Sequence, residues 1–557
     1  TRNPGGKRES CTSEAALTTT VRRHADAYHD SMRLMAATRA LTASPGVDWG
    51  TALMATPQNV ELLAEQGVDA RDARANDLLL VARAGSPEDA MRALDTAEAV
   101  LAGTRAVERD LTVLRYAGDE YRVIEWSRHK RQGQPDLVRI EAVPEPDANR
   151  LRPPTITAAV ADLAGANVAV VSVPGPYAAL AAHQALSAGM DVLLFSDGVS
   201  VEDEVALKVR AESLGRLVMG PGAGTAVLGG VGLGFANTVS PGRVGVVAAA
   251  GTGAQEVLAL LTAGGSGVAA VIGVGGRDLS RAVGGRMTRA ALRLLATQAD
   301  VDVLLLVTKP PDPDVLAGVL PAAGGKPLVI VAQGADEVQT PAEVRSVRTI
   351  DEGVEAALTE LGMPAPELGT GLRAMVEAAI ERLDPGRTAV RGVFSGGSLC
   401  YQAMHVLSGR LGPIYSNTPL QPDWRVPAPP GAHVCIDAGE EEYTVSRPHP
   451  MIDAEARADL LRQAGDDPTT AVLLFDVVLG HGAHPDPAGV LAPIVEAITG
   501  PSVVAHVLGT DADPQGLEGQ RGVLADAGCL VARSGARAAL LAAAVAARDA
   551  SLVEGVP

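Results

Sequence analysis

Four short segments hold residue types that could do chemistry, and each follows an apolar run. The first is Ala250-Gly251-Thr252-Gly253-Ala254-Gln255, after the valine-rich run that starts at Arg243. Its glycines permit a tight turn, and Thr252 and Gln255 have the spacing of a capping box that orients the first amides of the next helix. Unpaired N–H groups and the positive end of the dipole draw anions to such a start, so Gly251, Thr252 and Gly253 are read as a phosphate or anion site. The plain alternative is a turn that any parallel sheet requires. Ser395-Gly396-Gly397-Ser398 repeats the device between the run Ala389 to Phe394 and a segment carrying Cys400, Tyr401 and Met404, and it is read as substrate-binding. A thiolate at Cys400 would be favoured by that helix start, but a cysteine on an apolar helix is more often core, and it is not assigned as a nucleophile. The third segment runs from Asp476 to Gly489. It places Gly480, His481, Gly482 and His484 at the carboxyl end of a buried run, where open α/β sheets put their ligands. Gly480 and Gly482 are read as anion-binding, and His481 and His484 as the acid–base or anion-facing pair. Two histidines three apart lack a third ligand at fixed spacing, so no metal is assigned. Asp486-Pro487 has the chemistry of a helix start, and Asp513-Pro514 repeats it. The fourth segment, Gly273 to Asp278, offers Gly275 and Gly276 for close approach of a substrate or of another loop. No G-x-x-x-x-G-K-[ST] exists, and no G-x-G-x-x-G opens a helix in the right setting, so neither a P-loop nucleotide nor NAD is supported.

Loops of this kind need a scaffold that brings strand ends to one edge. Short apolar runs, glycine turns and segments of helical period alternate along the chain, which predicts an α/β fold with parallel sheets and crossover helices. The expected strands are 167–173, 191–195, 243–249, 302–308, 327–332 and 471–479, with amphipathic helices at 177–188 and 287–298. Residues 1–118 read as a small N-terminal α/β domain with helices near Asp30 to Thr42, after Pro57 and from Ser86, and strands at Thr51 to Met54 and Asp77 to Ala82. Residues 119–154 are charged and proline-containing, including Arg128, Lys130 and Arg131, and read as a linker. Three further domains are expected at 155–240, 241–365 and 366–557, the last with a long surface excursion from Pro422 to Glu442.

Length and charge bound what such a protein can be. At 557 residues the chain is long enough for about four domains of roughly 150 residues. With 47 basic against 66 acidic side chains the formal charge is −19, a surface that repels nucleic-acid backbones. No run approaches the roughly 18 apolar residues of a membrane span. Cys11, Cys400, Cys435 and Cys529 lack zinc spacing and the density of a secreted scaffold, so reduced thiols and a cytoplasmic location are expected. Residues 1–14 are polar and read as a loose leader rather than a signal sequence.

In order along the chain, the motifs resemble those of the succinyl-CoA synthetase superfamily, and most closely its FdrA-type proteins. Ser172-Val173-Pro174-Gly175-Pro176-Tyr177, Phe195-Ser196-Asp197-Gly198-Val199, Met219-Gly220-Pro221-Gly222, Pro241 to Val257 and Ile272 to Asp278 resemble the α subunit of the synthetase. His449-Pro450-Met451-Ile452-Asp453, Asp476 to Pro487 and Asp513-Pro514-Gln515 resemble the carboxy-terminal ligase domain of its β subunit. The resemblance implies a Rossmann-like unit followed by two flavodoxin-like ligase units, α-type and β-type. It also implies two helix starts facing one phosphate site, the corresponding positions being Gly251 to Gly253 and Gly480 to Gly482. The chain departs from the synthetases in having no histidine between His183 and His405, which removes their phosphohistidine relay from its usual loop. The CoA-phosphate glycine loop is not recognisable and the nucleotide-binding module is absent, which puts CoA and nucleotide in doubt and leaves phosphate as the expected substrate or ligand. The implied activity is that of an FdrA-like subunit of a carbamoyl or acyl transferase acting through an acyl phosphate, such as oxalurate plus phosphate giving oxamate plus carbamoyl phosphate. Its expected partners are further transferase subunits, a second copy of the chain, or both. An NDP-forming acyl-CoA synthetase and a non-catalytic scaffold are the alternatives.

Overall fold

The computed structural model describes residues 18–25, 27, 29, 31–101, 155–163, 165–334, 339–444 and 448–553, and the backbone of strands within 113–142. Cys11, the leader 1–14 and Arg128, Lys130 and Arg131 lie outside the described residues. Two compact units divide at Pro153 and Pro154.

In the first unit, β1 (Thr18–His24), β2 (Val47–Met54) and β3 (Leu78–Ala84) form an antiparallel sheet in the order β1-β3-β2. Helices Ser31–Thr42 and Pro87–Leu101 bury Ala37, Leu41, Ala90, Leu94 and Ala97 against Leu80 and Ala82. β4 (Val113–Tyr116), β5 (Asp119–Ser127) and β6 (Leu137–Ala142) form a second antiparallel sheet. The last two correct the linker reading of 119–154. Alternating charged and apolar residues, as in Asp119-Glu120-Tyr121-Arg122-Val123, are the pattern of a strand with one polar face, and charge alone does not make a linker.

The second unit carries three further sheets, parallel throughout except at one edge of the largest, where the pairing is antiparallel. β7 (Val168–Val171), β8 (Asp191–Leu194) and β9 (Val218–Met219) make a small Rossmann-like sheet. β10 (Thr225–Leu228), β11 (Val231–Gly234), β12 (Pro241–Ala248), β13 (Val268–Gly273), β14 (Val303–Thr308), β15 (Leu328–Ala332) and β16 (Val344–Val347) form a seven-stranded sheet in the order β11-β10-β13-β12-β14-β15-β16. β17 (Ala389–Phe394), β18 (Ile414–Tyr415), β19 (His433–Asp437), β20 (Thr470–Val478), β21 (Ser502–Leu508) and β22 (Leu530–Ala532) form a six-stranded sheet in the order β18-β19-β17-β20-β21-β22. From its first long parallel strand, each larger sheet winds outward both ways in the flavodoxin order, so each has a switch point beside that strand, at β12 and at β17. β19 lies inside the stretch read as a surface excursion. Its proline-rich flanks hide a strand that runs parallel to β17 from Arg391↔Val434 to Phe394↔Asp437.

Burial explains the apolar runs. Along β14, Leu304 and Leu306 enter the core shared with the Rossmann-like unit, while Val303, Leu305 and Val307 enter the core beneath helices Gly251–Ala263 and Ile350–Glu360. A strand covered on both faces has no position left for a polar residue. Buried charges bind the layers together. Lys208 donates from Nζ to Glu204 Oε1 (2.8 Å), Asp278 Oδ1 (2.9 Å) and Val274 O (2.9 Å), tying the Rossmann-like unit to the loop after β13. Glu256 accepts from Gly535 N (2.8 Å) and lies 2.8 Å from His506 Nε2, tying helix Gly251–Ala263 to the six-stranded sheet.

Candidate functional site

Both switch points place a glycine turn and a helix start at the carboxyl edge of a sheet, and the two starts meet. A Cβ on Gly396 would lie 2.7 Å from Thr252 Cγ2, and one on Gly253 would lie 2.9 Å from Ser398 Oγ. Gly251 and Gly397 are part-exposed, while Thr252, Gly253, Gly396 and Ser398 are buried. Neither helix has an acidic residue in its first turn or a side-chain cap. The capping-box reading of Thr252 and Gln255 is therefore corrected. Ala250 is the N-cap residue, and Gln255 Nε2 donates instead to Asn237 Oδ1 and Leu479 O, both at 3.2 Å. A tertiary partner outbids a local one because both of these acceptors are buried.

The loop after β20 behaves differently from its sequence reading. Gly480 N donates to Gln515 Oε1 (3.0 Å) and His481 N to Ala236 O (2.8 Å), so these two amides are already satisfied. Gly480 and Gly482 have φ of +115° and +84° and pack on Ala236 and Phe235 respectively. The turn at Gly480 and His481 thus acts as a structural strap, and the turn that faces Gly251 to Gly253 is Ser395 to Ser398. His481 is exposed, with Nε2 3.1 Å from Thr238 Oγ1. His484 accepts at Nδ1 from Asp486 N (3.0 Å), and Asp486 caps helix Pro487–Ala497 as expected. Asp513 caps nothing. It accepts from Asn237 Nδ2, Thr238 N and Thr510 N, each at 2.7 Å. Gly275 packs on Gly220 and Pro221, while a Cβ on Gly276 would meet nothing within 4 Å. Close approach of another loop, rather than a substrate, accounts for the first of these.

Residues that spacing could not reveal complete the site. Asp476 accepts from Ser395 N (2.8 Å), Ser395 Oγ (2.9 Å), Gly396 N (3.0 Å) and Arg457 Nη1 (2.6 Å). Its carboxylate therefore holds the two amides that precede the Gly397 helix. Asp437, at the end of β19, accepts at Oδ1 from Gly439 N (3.0 Å), and a Cβ on Gly397 would lie 2.7 Å from Asp437 Oδ2. Burial, with Glu440 adding to it, raises the Asp437 carboxyl to about 7 against an opposing pull from Lys309. His449 Nδ1 accepts from Met451 N (3.2 Å), which leaves the ring proton on Nε2, the atom that a Cβ on Gly439 would meet at 2.8 Å. Burial lowers His449 to about 4, so at neutral pH it is an uncharged donor. Phe235 bridges the parts, its ring 6.0 Å from His449 and 5.5 Å from Phe195 of the Rossmann-like unit. The cue for His449 and Asp476 lies in the motif blocks that contain them; Asp437 has none.

Two flavodoxin-order sheets with opposed helix starts define a ligase fold of the CoA-ligase type. The CoA-ligase family matches residues 393–545, and the family described as AllF, heavy metal-associated domain, matches residues 16–112. Over 403 residues the chain is 37% identical to YahF of Escherichia coli (strain K12), covering 70% of this chain and 78% of that protein. Over 148 residues it is 31% identical to succinate–CoA ligase [ADP-forming] subunit alpha 2 of Archaeoglobus fulgidus, covering 26% of this chain and 50% of that one. Among solved structures, the dinucleotide forming acetyl-coenzyme A synthetase 1 of Ca. Korarchaeum cryptofilum, in complex with phosphate and ADP, aligns at 15% identity and TM-score 0.26 over 70% of this chain and 85% of its own. The chain belongs to the FdrA-type proteins of the succinyl-CoA synthetase superfamily. The metal in one family description finds no donor set here: among the described residues no group of three or more His, Cys, Asp or Glu could hold an ion. Nor, among them, is any helix long and apolar enough to cross a membrane.

Proposed function

We propose that this chain is the FdrA-like subunit of a transferase that passes a carbamoyl or related acyl group through its phosphate, with inorganic phosphate held at the start of helix Gly251–Ala263. The observation that carries this reading is the uncapped start at Gly251, Thr252 and Gly253. It has no acid in its first turn and no side-chain cap, and it faces a second helix start preceded by two amides that Asp476 holds. In the forward direction a phosphate oxygen attacks the carbamoyl carbon of an N-carbamoyl amide such as oxalurate. The C–N bond breaks, its electron pair stays on nitrogen, and the proton of the attacking phosphate moves to that nitrogen, giving carbamoyl phosphate and oxamate. Backbone amides at Gly251 to Gly253 would steady the charge that develops, at about 3 kcal/mol per well-placed donor. His449 Nε2–H, beside Gly439 and Asp437, would offer a neutral hydrogen bond to the transferred group, the role expected above of His481 and His484. Coenzyme A is left out of this reading. At the Rossmann-like helix start a Cβ on Gly175 would lie 2.4 Å from Gly198 C, and Asp197, Glu440 and Glu441 cluster beside it. That is a poor setting for a phosphate.

Exchange of labelled phosphate into carbamoyl phosphate, with oxamate and the partner subunits present, tests the proposal. His449→Ala is expected to slow exchange by about 10²-fold, and His481→Ala to leave it nearly unchanged. An assembled complex that supports no exchange would remove the reading.

A further inference from the structure

Asp437 is 3% exposed, and its two oxygens are used unequally. Oδ1 accepts from Gly439 N, while among the described residues no donor reaches Oδ2, which lies against the part-exposed Gly397. Most of the carboxyl group is out of water, so its one accessible edge, at Oδ2, is open to a donor from a ligand or from water. The charges around it select the ligand's chemistry. A second carboxylate at this point would add to the negative charge of Asp437, Glu440 and the Asp476 carboxylate on the neighbouring amides, which Lys309 only partly opposes, and like charges this close disfavour one another. An N–H group has no such difficulty. Gly397, against Asp437, and Gly396, against Thr252, are adjacent residues one Cα step of ~3.8 Å apart. The Asp437 edge and the Thr252 edge of the site therefore meet neighbouring residues of one turn.

Resting on the function proposed above, we infer that Asp437 is a specificity-determining residue: its Oδ2 accepts a hydrogen bond from the amino group of the transferred carbamoyl unit and selects that unit over acyl groups of the same shape that carry no N–H. Carbamoyl phosphate and acetyl phosphate differ in an NH2 against a CH3 of nearly equal size, so they isolate this one contact. Calorimetric titration of the full-length protein with inorganic phosphate, carbamoyl phosphate and acetyl phosphate gives the test. The wild-type protein is expected to bind carbamoyl phosphate at least about tenfold more tightly than acetyl phosphate. Asp437→Ala is expected to bring the two within about twofold while inorganic phosphate binding is retained. Asp437→Asn, which keeps shape and one acceptor, is expected to fall between them and guards against a fold defect in the alanine variant. Phosphate binding without discrimination in the wild type, or discrimination that survives Asp437→Ala, overturns the assignment and indicates that water satisfies Oδ2. If phosphate itself does not bind, the proposed function fails, and this inference fails with it.

Discussion

Asp476 gathers two amides, a hydroxyl and a buried guanidinium on one carboxylate, with Arg457 further held over the Phe475 ring at 5.8 Å. Removing one member of a buried pair leaves the other charge uncompensated, so Asp476→Ala is expected to cost about 3–5 kcal/mol. Chemical denaturation checks this; a loss below about 1 kcal/mol would mean that water replaces the carboxylate. Cys400 is the opposite case, a residue whose chemistry the fold suppresses. Burial pushes its thiol well above the ordinary range, and Cys435 and Cys529 rise to about 12 for the same reason. Alkylation of the folded protein followed by peptide mass spectrometry is expected to leave all three unmodified. The sequence supported that reading of Cys400, because an apolar helix that buries Leu399 and Met404 also buries the cysteine between them. It did not support Asp437, whose role depends on a strand end meeting a glycine turn that is distant in the chain.

At the scale of elements, strands were legible where both faces are covered and obscure where one face is polar. β12, β14, β15 and β20 read as continuous apolar runs. β5, β6 and β19 interleave charge or sit among prolines, and their strand character comes from pairing that a single segment does not display. The turns were located correctly, but their duties were not. Gly251 and Gly480 both follow buried strands, and only tertiary contacts distinguish a helix start with free amides from a strap bonded to Gln515 and Ala236. The strap can be tested directly. At Gly480, φ is +115° and a Cβ would sit 2.6 Å from Ala236 O, so Gly480→Ala is expected to destabilise by about 1–3 kcal/mol. Gly276→Ala, in open space, should stay within about 0.5 kcal/mol. Equal melting temperatures for the two variants would contradict the contacts described.

Across the whole second unit, the seam between the two ligase sheets holds an acid whose ionisation folding shifts to higher pH. Asp351, which accepts from Ser534 Oγ at 2.6 Å, is raised to about 6 by burial and by the charge on Glu256. A carboxyl raised above its ordinary 3.8 contributes its full stability below that value, and loses it as pH rises through 6. The stability of the wild type relative to Asp351→Asn, which does not titrate, should therefore fall by up to about 3 kcal/mol between pH 4 and pH 7. Melting curves of both proteins across that range measure it; a constant difference would show that Asp351 ionises normally. The central claim concerns a neighbouring helix, Gly251–Ala263, and its uncapped start at Gly251. Ala250 occupies its N-cap position with extended backbone, so Ala250→Asp would cap the helix, stabilising the protein by about 1 kcal/mol, and would set its own carboxylate on the amides meant for phosphate. The most direct measurement is titration of both proteins with inorganic phosphate by calorimetry. Saturable heat in the wild type, lost in an Ala250→Asp variant that melts no lower, is the predicted result. No heat in the wild type, or unchanged binding in the variant, would contradict the account.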